Sequence, residues 1–272
     1  MQPLSLWPAN DRRQITGVFT DIDDTLTTEG AITQDALQAL DALKNTGLHV
    51  IAITGRSVGW SEPFARSWPV DAIVAENGSA ALVRQARARG TGDGLCRLYQ
   101  QQDATTRARN FARMQQVSQR ILREVPGSTQ SQDSPGRETD IAIDHSEFSH
   151  LAPAQIAQAV RIMQSEGMSA TVSSIHINGW YGTHNKLVGA RWIVRELFNR
   201  NLDDEMLRWA YVGDSTNDQL MFEAFPHSIG VANIRRFAHE LVHKPRYITQ
   251  TERGAGFAEV ADALLSTHGA AT

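Results

Sequence analysis

Short runs of apolar residues alternate along the chain with segments in which apolar residues recur at helical spacing. Apolar runs lie at 17–20 and 48–53, and between them Leu37, Leu40 and Leu43 recur at intervals of three residues. Strands and helices that alternate in this way form parallel sheets covered by helices. The pattern therefore predicts an α/β core.

The parallel pattern breaks after a third apolar run at 72–75. Asn77 and Gly78 stand between that run and a fourth one at 80–83. An Asn-Gly pair between two apolar runs is the strongest short hairpin signal. We therefore predict an antiparallel pair of strands here.

From about residue 84 to 180 the regular alternation of strands and helices stops, and we interpret this segment as an inserted α+β unit. It contains a glycine-rich stretch at 90–94, a long amphipathic segment with apolar residues from Phe111 to Val125, a polar loop at 127–136 and two further strand-like runs at 140–144 and 171–177. The alternating pattern then resumes, with a helix, three strands and a final helix near 186–198, 209–212, 228–231, 246–248 and 256–265.

The predicted fold class is accordingly α/β, with a Rossmann-like parallel sheet core and an inserted α+β cap domain. The core is expected to comprise residues 1–82 and 184–272, and the cap residues 83–183. The chain shows no internal repeat and no low-complexity tract.

Composition narrows the class of protein. With 41% apolar and 21% charged residues, the 272-residue chain has the make-up of an ordinary globular protein. Its apolar runs are shorter than the roughly 18 to 20 residues that span a bilayer, and its N-terminus lacks the charge order of a secretory signal. The single cysteine, Cys96, fits a reducing compartment. We expect a cytoplasmic protein without membrane contact.

The net charge of −4 argues against general affinity for nucleic acid, because phosphate backbones are bound through an excess of basic residues. Binding of an anion must then be local. The oligomeric state does not follow from the sequence.

The polar residues that could take part in a reaction lie at the ends of the predicted strands. The first strand ends in Asp21-Ile22-Asp23-Asp24-Thr25, the second in Thr54-Gly55-Arg56, and the strand at 209–212 in Gly213-Asp214-Ser215-Thr216-Asn217-Asp218. Ligands of open parallel sheets gather at the carboxyl ends of the strands. We therefore expect these three segments to form one site.

Asp21 and Asp23 stand two residues apart and are expected on the same side of an extended chain. One carboxylate can attack while the other handles a proton. Crowded carboxylates repel, and hard oxygen ligands suit Mg²⁺, which binds few carboxylates and keeps several waters. A metal is expected, with Asp214 completing its protein ligands and with Asn217 and Asp218 holding that loop or its waters.

A phosphoryl group would find its partners in the same place. Thr54 offers a hydroxyl, Gly55 an unobstructed backbone N–H, and Lys186 a compact positive charge. Because the dipole of the predicted helix opposes a cation in its first turn, Lys186 is expected to face an anion or an acidic cluster.

These residues resemble the four motifs of the haloacid dehalogenase (HAD) superfamily of phosphotransferases, in the same order. The resemblance implies that Asp21 is the nucleophile, Asp23 the general acid and base, and Thr54 and Lys186 the groups that hold phosphate, with Asn217 beside them. It also implies that Asp21, the backbone carbonyl of Asp23 and Asp214 bind Mg²⁺. Asp24 departs from the family, which often has glycine there; in the family's motif this position faces away from the chemistry.

Spacing indicates the type of cap. Only 28 residues separate Thr25 from Thr54, whereas 131 separate Thr54 from Lys186, so the insertion follows the second motif. This arrangement resembles the type II caps, and among them the IIB subgroup, which includes phosphatases of sugar phosphates. The resemblance implies that the cap determines the substrate.

Within the cap, polar residues alternate with Ile175 and Ile177 along the predicted strand 171–177 and beyond it. His176 and Asn178 on the polar side are candidate substrate contacts, although any half-exposed strand shows the same alternation. Further candidates are Arg56 and Asn77 near the junction of core and cap. Trp180, Tyr181 and His184 either line a sugar-sized pocket or pack in the interior.

Nine arginines but only two acidic residues lie between Arg84 and Arg123. We interpret the arginines mainly as a solvated helix face, opposite an apolar stripe that includes Met114, Val117 and Ile121.

The sequence thus predicts a Mg²⁺-dependent phosphatase acting on a small phosphorylated metabolite, most simply a sugar or glycosyl phosphate, through an aspartyl-phosphate. The alternatives are a sugar phosphomutase with the same cap type and a non-catalytic sugar-phosphate sensor. A phosphatase of nucleic-acid ends would rest on the cap arginines alone. The particular substrate and the pathway do not follow from the sequence.

Overall fold

The structure, a computed structural model, describes residues 1–84, 94–100 and 103–268. Its strands are β1 (Gln2–Pro3), β2 (Gly17–Thr20), β3 (Thr27–Thr28), β4 (Ala31–Ile32), β5 (His49–Ile53), β6 (Ala72–Ala75), β7 (Ala80–Arg84), β8 (Leu95–Tyr99), β9 (Thr129–Gln130), β10 (Ile141–Asp144), β11 (Ser169–Val172), β12 (His176–Trp180), β13 (Trp209–Gly213), β14 (His227–Gly230) and β15 (Tyr247–Ile248). Its α-helices are α1 (Ala9–Gln14), α2 (Gln34–Asn45), α3 (Val58–Ser67), α4 (Ala104–Glu124), α5 (Pro153–Ser165), α6 (Lys186–Phe198), α7 (Gln219–Ala224) and α8 (Arg253–His268).

A nine-stranded sheet in the order β1-β15-β14-β13-β2-β5-β6-β7-β8 forms the core. The strands from β1 to β6 in this order run parallel, and β7 and β8 are added antiparallel. The predicted α/β class with a parallel sheet is confirmed. The predicted hairpin at Asn77 and Gly78 is confirmed as well, since Ala75 of β6 pairs with Ala80 of β7.

Helices cover both faces of this sheet because successive residues of a buried strand point in opposite directions. Val18 and Val50 pack with α2, α3 and α8 on one face. Phe19 and Ile51, their neighbours in sequence, pack with α6 and α7 on the other face. The central strands are therefore apolar on both sides, as parallel sheets require.

The second unit is a four-stranded antiparallel sheet in the order β11-β12-β10-β9, covered by α4 and α5. Met114, Val117 and Ile121 of α4 are buried against it, as the apolar stripe predicts. The arginines of α4 lie toward solvent, where Arg113 stacks on the Tyr181 ring at 4.2 Å and Arg120 pairs with Glu166.

One predicted strand is wrong. Residues 171–177 do not form a continuous strand, because β11 ends at Val172 and the antiparallel β12 begins at His176. The hydroxyl of Ser173 accepts hydrogen bonds from the N–H groups of Ile175 and His176, so the turn is formed by a side chain that competes with strand pairing.

Strand β8 pairs with β7 at the edge of the large sheet, although the sequence assigns its residues to the insertion. Of the glycine-rich stretch 90–94, residues 90–93 lie outside the described residues. The division into 1–82, 83–183 and 184–272 stays a prediction. Among the described helices, none has the length and apolar character needed to cross a membrane.

Candidate active site

The three predicted strand ends lie side by side, because β13, β2 and β5 are neighbours in the sheet. Asp214, Asp21 and Thr54 each follow one of these strands directly. The carboxyl ends of the strands meet at one edge of the sheet, as the parallel pattern predicts.

Lys186 connects two of the carboxylates. It begins α6, and its Nζ lies 2.6 Å from Asp21 Oδ1, 2.6 Å from Asp218 Oδ1 and 3.5 Å from Asn217 Oδ1. Although burial disfavours its charged form, the two aspartates raise the pKa of Lys186 above the ordinary value. The ammonium is thus held charged and buried beside Asp21.

Asp218 acts as a scaffold for the loop after β13. Its carboxylate accepts hydrogen bonds from the Tyr211 hydroxyl (2.5 Å) and from the N–H groups of Asp214 (3.0 Å) and Ser215 (3.1 Å), besides the contact with Lys186. A Cβ at Gly213 would come within 2.5 Å of Asp218 Oδ2, so this position requires glycine. The strand-to-loop sequence therefore fixes where Asp214 points.

Asp21, Asp214 and Asp218 place carboxylate oxygens within 4.8 Å of one another. Burial raises the pKa of Asp21 to about 8, against the effect of Lys186 and with added repulsion from Asp218 and Asp23. Burial and the charges of Asp21 and Asp218 also raise the pKa of Asp214 well above its ordinary value. A cluster of this kind favours either protons or a cation.

Asp214 differs from Asp218 because one of its carboxylate oxygens is free to bind a cation. Asp214 Oδ2 accepts a hydrogen bond from Asn233 Nδ2 at 2.9 Å, whereas Oδ1 is buried and has no hydrogen-bond partner in the described part of the chain. Because the Asp218 oxygens are already occupied, Asp21 and Asp214 are the side chains that fit a divalent cation, with hard oxygen donors suited to Mg²⁺.

Thr54 is fully buried, and its hydroxyl oxygen accepts a hydrogen bond from the Arg56 N–H at 3.0 Å. That bond leaves the hydroxyl proton free to donate to an anion. The backbone of the Thr54-Gly55-Arg56 turn therefore orients a donor at the same edge of the sheet.

Asp23 is held by Arg56 and, through it, linked to the cap. Arg56 Nε lies 2.9 and 3.0 Å from the two Asp23 oxygens, and Arg56 Nη2 lies 2.8 Å from Asp23 Oδ1. Arg56 also donates to Glu147 at 2.7 and 3.1 Å, and His176 Nε2 lies 2.8 Å from Glu147 Oε2. We call this chain of Asp23, Arg56, Glu147 and His176 the Arg56 bridge.

Burial alone would raise the pKa of Glu147, but hydrogen bonds from His176 and Arg56 lower it to about 2. The carboxylate of Asp144 builds the loop that presents Glu147, because it accepts hydrogen bonds from four successive N–H groups, from Ser146 to Ser149, at 2.9 to 3.1 Å. The loop thus holds Glu147, on the cap side of the Arg56 bridge, in a fixed position.

A cavity of about 600 Å³ lies between core and cap beside the Arg56 bridge. Its core side includes Asp23, Asp24, Arg236 and Arg253, and its cap side includes Glu147, Phe148, Ser174 and Ile175. Phe148 leaves 62% of its surface exposed, which gives the cavity an apolar wall. The volume suits a small organic molecule.

Two predicted substrate residues lie elsewhere. Asn77 and Asn178 donate to Asp140 Oδ2 at 3.3 and 3.0 Å, and Asn178 also donates to the Gly55 carbonyl at 3.2 Å. Neither lines the cavity. The structure therefore places Arg56 at the cavity, His176 behind Glu147, and the two asparagines at the junction of core and cap.

Trp180 and His184 pack against each other in the interior. The Trp180 indole donates to the His184 carbonyl at 3.0 Å, and burial lowers the pKa of His184 to about 4. The sequence leaves open whether these aromatic residues line a pocket or pack in the interior. Trp180 and His184 pack in the interior.

Buried charges join core and cap at what we call the cap junction, formed by Glu76, Asp133, Arg137 and Asp140. Arg137 pairs with Asp133 (2.9 Å) and Asp140 (2.6 Å) and donates to the carbonyl of Gly55 at 3.0 Å. Its side chain is only 1% exposed.

The same junction holds the turn after β5 and the start of α3. Asp133 accepts from the Ser57 N–H at 2.9 Å, and Glu76 accepts from the N–H groups of Val58 and Glu138 at 3.0 Å. Residues of the cap junction therefore hold the Thr54-Gly55-Arg56 turn and the start of α3 in place.

Arg137→Met is expected to lower the free energy of unfolding by about 3–5 kcal/mol, because it leaves Asp133 and Asp140 buried without their cation. Urea denaturation measures this loss. The matched control is Arg97→Met, which breaks ion pairs of an arginine that is 41% exposed and should change stability by no more than about 1 kcal/mol. Equal, small losses in both variants would show that the junction is hydrated in solution.

Sequence reasoning missed Arg236, Arg253 and Glu147. The first two follow β14 and β15, so the rule that singled out the other strand ends would have found them at this edge of the sheet. For Glu147, the sequence gives no indication of a role in the site beyond its position after β10.

Fold and site together define a capped α/β protein with a carboxylate and lysine centre at the carboxyl edge of its sheet. The model of the family described as haloacid dehalogenase-like hydrolase matches residues 18–89. No curated protein matches the chain at a significant level.

Solved structures match nearly the whole chain. The sucrose-phosphatase of Synechocystis sp. PCC6803 is 17% identical, with a TM-score of 0.63 over 93% of this chain and 98% of its own. The C-terminal domain of C. albicans trehalose-6-phosphate phosphatase is 16% identical, with a TM-score of 0.61 over 96% and 95%. A sugar phosphatase of HAD subclass IIB is 12% identical, with a TM-score of 0.60 over 93% and 98%.

Residues 18–89 thus match the haloacid dehalogenase-like hydrolase family, and most of the chain has a fold similar to that of a HAD subclass IIB sugar phosphatase.

Proposed function

We propose that the protein is a Mg²⁺-dependent phosphatase that hydrolyses a small phosphorylated metabolite, a sugar or glycosyl phosphate, through an aspartyl-phosphate on Asp21. The observation that carries the proposal is the contact of Lys186 with Asp21, beside the free oxygen of Asp214 and near a cavity of about 600 Å³ that Asp23 lines. Asp21 supplies the nucleophile, Lys186 supplies a positive charge for the phosphoryl oxygens, and the cavity offers a place for the leaving group.

In the first step a carboxylate oxygen of Asp21 attacks phosphorus and the bond from phosphorus to the leaving oxygen breaks. Lys186 and the hydroxyl of Thr54 hold the phosphoryl oxygens, and Asp23 gives a proton to the leaving alcohol. In the second step Asp23 takes a proton from water, which attacks phosphorus and returns Asp21 to the carboxylate. Inorganic phosphate is then released.

Asp21, Asp214 and the backbone carbonyl of Asp23 would hold the Mg²⁺. When bound, the cation offsets the repulsion between the carboxylates and the incoming phosphate. Asp218 and Asn217 stay outside this set, because Asp218 holds the loop and Lys186 while Asn217 reaches Lys186 and Ser215.

The substrate class is supported by the position of the cavity between core and cap and by the sugar-phosphate substrates named for structures of the same fold. The test is a screen of phosphorylated metabolites for phosphate release with Mg²⁺. Release from sugar phosphates is the expected result. Transfer of phosphate within the sugar, without release, would instead identify a phosphomutase, and binding without turnover a sensor.

Asp23→Asn is expected to lower kcat/KM, which reports the transfer of the phosphoryl group to Asp21, by about 10²–10⁴-fold for an alkyl phosphate, because the amide cannot protonate the leaving alcohol. The loss should be much smaller for p-nitrophenyl phosphate, whose leaving group needs no proton. Steady-state kinetics with both substrates measures the difference. Equal losses would mean that Asp23 acts through structure rather than by proton transfer.

A further inference from the structure

Two arginines on the core side of the cavity share one carboxylate. Arg236 Nη2 lies 2.8 Å from Asp24 Oδ2, and Arg253 Nε lies 3.0 Å from Asp24 Oδ1. All three residues line the cavity. The two guanidinium groups and the Asp24 carboxylate together carry one positive charge, in a lining that also includes Asp23, Glu29, Arg56 and Glu147.

The backbone around this group is strained. Asp24 and Arg253 are non-glycine residues in the left-handed region, with φ of 56° and 55°. Asn233, which is buried, holds both in place: its Nδ2 donates to the Asp24 carbonyl and its Oδ1 accepts from the Arg253 N–H, each at 3.0 Å. Strained residues that are held in this way cluster at ligand sites.

Most donors of the two guanidinium groups are unused. Within the described residues, Arg236 forms side-chain hydrogen bonds to the carboxylates of Asp24 and Asp214 through Nη2 alone, and the Arg253 side chain forms an ion pair with Asp24 but no hydrogen bond of good geometry. A guanidinium carries five donors in a planar fork that matches a carboxylate or a phosphate. The remaining donors border a cavity large enough for a ligand.

We propose that Arg236 and Arg253 bind a second anionic group, a carboxylate or a second phosphate, on the part of the substrate that leaves. This inference rests on the proposed phosphatase function and narrows its substrate class. The preferred substrates are phosphorylated sugar acids or sugar bisphosphates rather than neutral sugar phosphates. One phosphoryl group reacts at Asp21, while the other anion lies against Arg253 and Arg236.

The experiment compares kcat/KM for two matched pairs, gluconate 6-phosphate with glucose 6-phosphate and fructose 1,6-bisphosphate with fructose 6-phosphate. We expect the more acidic member of at least one pair to be preferred about tenfold or more. The pair that shows the preference identifies the anion as carboxylate or phosphate. Arg253→Gln should reduce that preference about tenfold.

Arg235→Gln is the matched control, because Arg235 is exposed, neighbours Arg236 in sequence and does not line the cavity. It should keep the preference of the unmodified protein. Arg236→Gln serves as a second variant, with a lowered preference and a lower kcat because Arg236 also contacts Asp214. Thermal unfolding checks that each variant is folded.

Hydrolysis without preference for the acidic members, or a preference that Arg253→Gln and Arg235→Gln change equally, would overturn the inference and leave the phosphatase function standing. Absence of hydrolysis of every ester, p-nitrophenyl phosphate included, would overturn both.

Discussion

Asp21→Asn is expected to lower kcat on the order of 10⁴-fold or more while the protein stays folded. The amide keeps the shape of the side chain but loses the charge that attacks phosphorus. Lys186 retains its contact with Asp218, so its ammonium is not left alone in the interior. Phosphate release in a single-turnover assay measures the loss, and thermal unfolding checks the fold.

The matched control for this change is Asp41→Asn, which makes the same substitution at an exposed position of α2 and should leave kcat unchanged. Trapping of radioactive phosphate on the unmodified protein, and its absence in Asp21→Asn, would identify the covalent intermediate. Turnover in Asp21→Asn within tenfold of the unmodified protein would contradict the role of this residue.

Removal of divalent cations is expected to reduce turnover about 10³-fold, and addition of Mg²⁺ should restore it. Asp214→Asn should give a similar loss that Mg²⁺ does not restore, because the amide replaces the carboxylate that carries the free oxygen. Ca²⁺ should support turnover poorly, since its coordination is larger and more flexible.

Binding of the cation also has a readout without catalysis. At a concentration a hundredfold above Kd, Mg²⁺ should stabilise the fold by about 2.7 kcal/mol, which corresponds to a rise in Tm of roughly 5–10 °C. Asp214→Asn should lose this rise, whereas Asp262→Asn at an exposed position of α8 should keep it. Full activity in chelator would exclude the metal from the reaction.

The parts of the site that follow local rules could be predicted from the sequence. Asp21, Thr54 and Asp214 are brought together because parallel neighbouring strands end at one edge, and the end of a strand is visible as a change from apolar to polar residues. The acidic partners of Lys186 were predictable for a similar reason, since a helix dipole opposes a cation in the first turn.

Contacts between distant elements were not predictable in this way. Alternation showed that one side of the strand through His176 and Asn178 is polar, but it does not say what covers that side. The structure covers Asn178 with Asp140 and Gly55, and places His176 against Glu147. Both partners come from elements whose placement depends on how the cap docks.

The position of Asp24 illustrates the same limit. The family motif implied that this residue faces away from the chemistry, yet it lines the cavity and holds Arg236 and Arg253. Its role depends on arginines more than 200 residues away in the chain, which local sequence patterns do not connect to it.

The cap junction implies that this cap is not an interchangeable module. Grafting a cap from another protein onto the core would remove Asp133 and Arg137, and with them the supports of the Ser57 N–H and the Gly55 carbonyl. On the proposed function, we expect such a chimaera to bind a phosphoryl group at the core more weakly, even if the graft binds the rest of the substrate. Divergence of substrate preference is therefore expected to proceed by exchange of single residues around the cavity, such as Phe148 and Ile175, while the junction residues change together or not at all.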